Sequence, residues 1–146
     1  MLPQIDEKFI ATGKVELVFL DLPLQMHPYA FKAAEAAACA GDQKKFWEMR
    51  HLLFENQRAL APDQLPGYAE TLGLDVPAFQ KCLSSGRHEG EIRDRVRLAH
   101  SLGITGTPAY VLARRIKGDK VEVVDIVHGA QSEDLEKKID ALLAAK

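Results

Sequence analysis

Two cysteines, Cys39 and Cys82, five histidines and one Thr107-Pro108 bond are the groups in this 146-residue chain whose types could do chemistry. Thiol–disulfide exchange needs two thiols close together, the attacking one best placed at a helix N-terminus, where unpaired N–H groups and the helix dipole favour the thiolate. Cys39 and Cys82 are too far apart in sequence for such a pair or for a zinc ribbon, and each falls inside a predicted helix. The residues alone leave two readings open, two buried thiols or one structural disulfide. His27, His51, His88, His100 and His128 show no metal-ligand spacing with one another or with the cysteines, so no metal site is expected. Glu48 and Glu55 read as a solvated helix face rather than an acid/base pair. Phe46, Trp47 and Phe54 read as core rather than a ligand cage. A lone Thr-Pro would by default be a trans bond opening an edge strand, since about 5–6% of X-Pro bonds in folded proteins are cis.

The elements that must position these groups follow from periodicity. Leu2, Ile5, Phe9 and Ile10 recur at helical spacing and Gly13 follows as a stop, so the chain opens on the end of an amphipathic helix. Val15 to Leu20 is a mostly apolar run that predicts a strand buried on both faces, with a parallel partner. His27-Pro28 predicts a helix start, with proline at the first helical position, and the alanine-rich segment continues it to Ala40, before Gly41. Asp42 is placed as N-cap of a helix over 43–56, with Phe46, Met49, Leu53 and Phe54 on one side. Helices are predicted at 65–72, at 76–83 behind the cap Asp75, and at 89–102, ending at Gly103. Ala109 to Ala113 and Val121 to Val127 read as an antiparallel hairpin around Lys117-Gly118-Asp119. Gly129-Ala130 then leads to Ser132, the predicted cap of a closing helix whose buried face is Leu135, Ile139, Leu142 and Leu143.

Composition restricts the partners. With 47% apolar and 27% charged residues the chain suits one globular domain over 1–146. A net charge of −2 gives no electrostatic reason to expect nucleic acid or an anionic membrane surface. Arg114, Arg115 and Lys117 read as a solvated hairpin end. No apolar run approaches the ~20 residues that cross a bilayer, and Met1-Leu2-Pro3-Gln4 lacks the pattern of a signal peptide, so the product as written is expected in the cytoplasm.

Four segments taken together, Leu-Pro-Gln-Ile-Asp-Glu-Lys-Phe-Ile (2–10), Asp-Leu-Pro-Leu-Gln-Met-His-Pro-Tyr-Ala (21–30), Lys45-Phe46-Trp47-Glu48-Met49 and Gly-Ile-Thr-Gly-Thr-Pro-Ala-Tyr (103–110), resemble the DsbA-like branch of the thioredoxin superfamily. The resemblance runs over essentially the whole chain. It implies an α/β thioredoxin-like fold with an inserted helical subdomain at about 27–102, and a cis bond at Thr107-Pro108. In that family a strand and a Cys-x-x-Cys precede a segment similar to Leu2 to Ile10, so this chain is expected to begin inside the first long helix and to lack the N-terminal, central strand. Members of the family often carry a second, structural disulfide between the inserted helices, and Ala38-Cys39-Ala40-Gly41 and Lys81-Cys82-Leu83 are similar to its surroundings. That pairing implies an oxidising, extracytoplasmic compartment, at odds with the start of the sequence.

The family's missing strand lies between the run 15–20 and the strand at 109–113, and buried backbone groups left without partners cost about 1–3 kcal/mol each. Either the flanking strands close, a second copy lends a strand, or the segment comes from elsewhere; self-association through exposed sheet edges is the expectation. By resemblance the function is disulfide formation or isomerisation in secreted proteins, with no catalytic residue in this chain and no cofactor. Thr107 and Pro108 are the candidate substrate-binding residues, pairing with extended or unfolded polypeptide by strand addition. A non-catalytic peptide- or partner-binding module is the second reading, and a relative of the kappa-class glutathione transferases and isomerases the third.

Overall fold

The computed structural model describes residues 3–118, 120–129 and 132–145, and the chain divides into two compact units, Met1–Leu20 with Ile104–Lys146, and Asp21–Gly103. In the first unit α1 (Pro3–Ile5) continues as a π-helical stretch, Asp6–Ile10. The bonds from the Ala11 amide to the Asp6 carbonyl (2.8 Å) and from the Lys14 amide to the Phe9 carbonyl (3.0 Å) span five residues each. The expected helix is present, but its last turns are wider than α-helical. Its apolar face, Ile5 and Phe9, is buried against Val127, Leu135 and Ile139, with Val15, Tyr110 and Leu112 around them. Leu2 lies outside the described residues.

β1 (Ala109–Lys117) and β2 (Lys120–His128) form an antiparallel two-stranded sheet, longer than the predicted hairpin. The register pairs Ala109 with His128 and Leu112 with Asp125, then shifts at Leu112/Ala113. α7 (Ser132–Ala144) buries Leu135 and Ile139, whereas Leu143, assigned to its inner face, is 40% exposed because it lies past the end of the packed stripe. Polar ties hold α7 in this unit. Lys8 reaches Glu136 (2.5 Å) and Asp140 (2.7 Å), Lys138 reaches Asp125 (2.6 Å), and Arg114 donates to the Leu142 and Ala145 carbonyls at 3.0 Å each. Asp119, Ala130 and the Ser132 side chain lie outside the described set, so the predicted turn residue and cap fall there.

Val15 to Leu20 corrects the sequence reading, because this run forms no strand and is not buried on both faces. A strand needs a ladder partner, and the described strands pair only with each other. The run keeps a period of two, with Val15, Leu17 and Phe19 half-buried and Glu16, Val18 and Leu20 exposed. Glu16 reaches Arg115 at 2.6 Å, yet the backbones of the two flanking segments have not closed into a sheet.

The second unit is helical: α2 (Ala30–Gly41), α3 (Phe46–Glu55), α4 (Leu65–Thr71), α5 (Val76–Ser85) and α6 (Glu89–Ser101). Alanines 33, 36, 37 and 40 of α2 present almost no side-chain bulk, so Met49 and Leu53 of α3, Leu65 of α4 and Phe79 of α5 pack directly onto it. Two boundaries and one burial pattern differ from expectation. α2 begins at Ala30, because His27 and Pro28 are spent in a turn closed by the Ala30 amide on the His27 carbonyl (3.0 Å). α3 begins at Phe46, and its N-cap position is Lys45 rather than Asp42. Trp47 and Phe54 are half-exposed rather than core, because α3 turns Met49 and Leu53 inward and leaves those two rings beside the Arg50 guanidinium, 5.6 and 4.6 Å from it. Asp75 caps α5 through the Ala78 amide (2.9 Å), and Gly86 ends it in the left-handed region at φ +64.

Cross-links join α2 to α5. Cys39 and Cys82 are disulfide-bonded, with Cα atoms 5.8 Å apart and a sequence separation of 43. Gln43 accepts from the Asp75 amide (2.8 Å) and donates to its carbonyl (3.1 Å). Buried Glu35 pairs with Lys32 (2.8 Å), whose ammonium also donates to the Leu83 carbonyl near the end of α5 (3.0 Å). By loop-closure entropy a disulfide across this span stabilises the fold by up to about 4 kcal/mol. Replacing both cysteines by alanine is expected to lower the unfolding free energy by about 2–4 kcal/mol while the helical circular dichroism persists, as urea melts of the two proteins will show.

Candidate functional site

The segment from Ile104 to Pro108 sets up the first candidate. Ile104 is buried and anchors it, Thr107 and Pro108 are exposed, and the peptide bond between them is cis. The Pro108 carbonyl accepts from the Gly129 amide at 2.9 Å, extending the ladder one step beyond Ala109 and His128. Backbone groups alternate in direction along an antiparallel strand, so Ala109 and Val111 turn their N–H and C=O groups away from β2. Among the described residues no strand pairs with that side. Two exposed residues therefore lead into an open row of donors and acceptors, the arrangement that accepts an added strand.

The cysteines belong to the helical unit. Each lies in the last turn of its helix, Cys39 in α2 and Cys82 in α5, where the dipole disfavours a thiolate. Both are consumed by their mutual bond, leaving no free cysteine. Around them the structure assembles a group that the sequence did not reveal. Asp42 Oδ2 lies 3.5 Å from Cys82 Sγ and 2.9 Å from His88 Nε2, and also pairs with Arg87. Donor atoms of Cys39, Asp42, Cys82 and His88 all fall within 4.8 Å of one another. The sequence marks Asp42 as a helix cap. Its carboxylate instead faces α5 and the segment that follows it, because α3 starts three residues later than Gln43. The available signal was the pair of spacings Cys39-x-x-Asp42 and Cys82 with His88 six residues on, whose convergence depends on the packing of α2 against α5. Elsewhere Glu48 and Glu55 are exposed on α3, as expected of a solvated face, and pair with Lys45 at 2.8 Å and His51 at 3.2 Å.

A hairpin with a helix packed on it, an inserted helical unit and an exposed Thr-Pro loop opening a strand define a thioredoxin-type domain. Residues 7–139 match the family of DSBA-like thioredoxin domains, and the chain belongs to that family. It is also similar to three proteins named as Na(+)/H(+) antiporters. NhaA 1 of Salinispora arenicola is 40% identical over 114 residues, 77% of this chain and 18% of that protein. NhaA 1 of Mycolicibacterium vanbaalenii is 34% identical over 105 residues, 69% of this chain and 17% of that protein. NhaA of Herminiimonas arsenicoxydans is 35% identical over 96 residues, 65% of this chain and 16% of that protein. The chain spans less than a fifth of the length of these relatives. No helix among the described residues is long and apolar enough to cross a membrane.

Two carboxylates of the helical unit respond to pH in opposite senses. Burial works against the charged form of Asp42, but hydrogen bonds from His88 and Arg87 outweigh it and hold the carboxyl below its ordinary value. Burial dominates at Asp21 and raises its carboxyl, although Arg95 lies 3.3 Å away and the Arg50 charge also favours ionisation. A lowered carboxyl contributes stability that is present above the ordinary carboxylate pKa and lost as pH falls through its folded value; a raised one contributes below the ordinary value and loses it as pH rises. Around pH 4 and below Asp42→Asn is therefore expected to flatten the rise of stability with pH, whereas from about pH 4 upward Asp21→Asn is expected to steepen it. Urea midpoints measured across the acid range check both directions.

Proposed function

We propose that this chain is the polypeptide-holding part of a DsbA-type thiol:disulfide oxidoreductase, with Thr107, Pro108 and the open edge of β1 receiving an extended segment of an unfolded or secreted substrate. The observation that carries the reading is the exposed Thr107-Pro108 loop running into a strand whose Ala109 and Val111 backbone groups face away from β2. Exchange chemistry also needs a reactive cysteine pair, and the sequence contains no Cys-x-x-Cys. The Cys39–Cys82 bond fits a protein that works in an oxidising compartment.

A second reading is favoured by the relatives. In it the chain is a polypeptide- or partner-binding module that catalyses no exchange, and the support is that the matched segment is under a fifth of proteins named as antiporters, so that a domain of this kind would be one part of a larger protein. The same β1 edge would accept a strand from a second copy of the chain, giving a homo-oligomer that light scattering separates from a monomer.

Titrating an extended, cysteine-free peptide by fluorescence anisotropy tests the shared element. Val111→Pro removes an outward N–H at an edge position where proline is tolerated, and is expected to weaken binding at least about tenfold, or 1.4 kcal/mol, with unchanged circular dichroism. Equal binding by the variant would sink both readings. Insulin reduction then divides them: the chain alone gives none, and activity on joining a Cys-x-x-Cys segment upstream supports the oxidoreductase.

A further inference from the structure

The group around the disulfide has the composition of a metal site held shut by a covalent bond. Two sulfurs, an imidazole nitrogen and a carboxylate oxygen are a ligand set suited to a tetrahedral d-block cation such as zinc. Here one ligand atom each from Cys39, Asp42, Cys82 and His88 all lie within 4.8 Å of one another, on α2 and its end and on α5 and the turn after it. We propose that reduction of the Cys39–Cys82 disulfide opens a binding site for a zinc-type divalent cation whose ligands are Cys39, Asp42, Cys82 and His88. This inference does not depend on the polypeptide-holding role of the other unit.

Three features of the surroundings support it. Both cysteines and Asp42 sit where α2 and α5 end, so the negative ends of two helix dipoles face the site and favour a cation. A cation already answers that field, since Arg87 pairs with the Asp42 carboxylate. A carboxylate also stands near the other ring nitrogen of His88, with Glu91 Oε2 3.8 Å from Nδ1, near enough to close by a small side-chain movement to a hydrogen bond that orients a metal-bound imidazole. Access is open, because Asp42, Lys81, Cys82 and Arg87 border a surface depression of about 310 Å³. Lys81 and Arg87 there oppose an incoming cation, and Arg87 must leave Asp42 for the carboxylate to bind metal.

The redox step balances with a dithiol or phosphine as reductant. A dithiol gives two electrons and two protons to the S–S bond and becomes a disulfide; a phosphine takes its oxygen from water and becomes the phosphine oxide. Either leaves two protein thiols, and metal binding displaces their two protons to solvent. In the reverse direction an added disulfide takes two electrons from the two thiolates and two protons from solvent, leaves as thiols, and the cation is expelled as the Cys39–Cys82 bond re-forms.

The test uses the whole chain reduced by a phosphine and titrated with Co²⁺, followed by Zn²⁺. The expected result is one equivalent bound with a thiolate-to-cobalt charge-transfer band and the intense visible bands of tetrahedral Co²⁺, bleached by Zn²⁺ and absent from the oxidised protein. His88→Ala and Asp42→Ala should each weaken binding at least about tenfold, the scale on which even outer partners act. Arg87→Ala should tighten it by freeing the carboxylate. Circular dichroism should show native helix content in the metal-bound reduced protein, whether or not the metal-free form stays folded. No band at one equivalent, a band unchanged in both ligand variants, or binding without native helix content would each overturn the proposal.

Discussion

A β-strand is stable only when its backbone groups find partners along an edge and its side chains find cover on a face. Two strands cannot meet both needs for themselves. β1 and β2 satisfy one edge each through their mutual ladder and gain cover for Tyr110, Leu112 and Val127 from α1, the π-helical stretch and α7. The far edges of both strands and the exposed valines at 111, 121, 123 and 124 are what remains among the described residues. Most of what can be said about binding in this unit is a consequence of that incompleteness. The same requirement explains Val15 to Leu20, which has the residues of a strand and the alternation of one but no ladder.

The helical unit solves its packing differently. A helix lined with alanine has little side-chain area to bury, so its contribution comes from letting larger residues on α3, α4 and α5 approach its backbone closely. Such a face tolerates little added volume. The disulfide, the Gln43 amide bridge and the Lys32 ammonium fix α5 on it at separate points. They bring the two helix ends together, and with them Cys39, Asp42, Cys82 and His88.

Local signals made the helices of this chain legible. Asp75 before Val76 and Gly86 after Ser85 mark α5 in sequence as they do in space, and the spacing of Leu135 and Ile139 marks α7. The family was legible from motif order, and the Thr107-Pro108 loop with it. Features that depend on distant partners were not. Strand character at Val15 to Leu20 is intrinsic, but pairing belongs to two segments, and among the described residues none pairs with it. Asp42 carries an ordinary capping signal, and nothing local tells that Arg87 and His88, more than forty residues on, will claim its carboxylate. The outward rings of Trp47 and Phe54 were misread because an apolar stripe wider than the available core must leave some of its members outside.

Trp47 is the single tryptophan of the chain and lies half-exposed on α3, edge-on to Phe46 with ring centroids 5.3 Å apart. Intrinsic indole emission is thus a local gauge of the α3 surface. Loosening of α3 alters its surroundings directly, whereas separate opening of the hairpin unit need leave no optical trace. A denaturation curve recorded by this emission would describe the helical unit, and amide hydrogen exchange would be needed to follow the other.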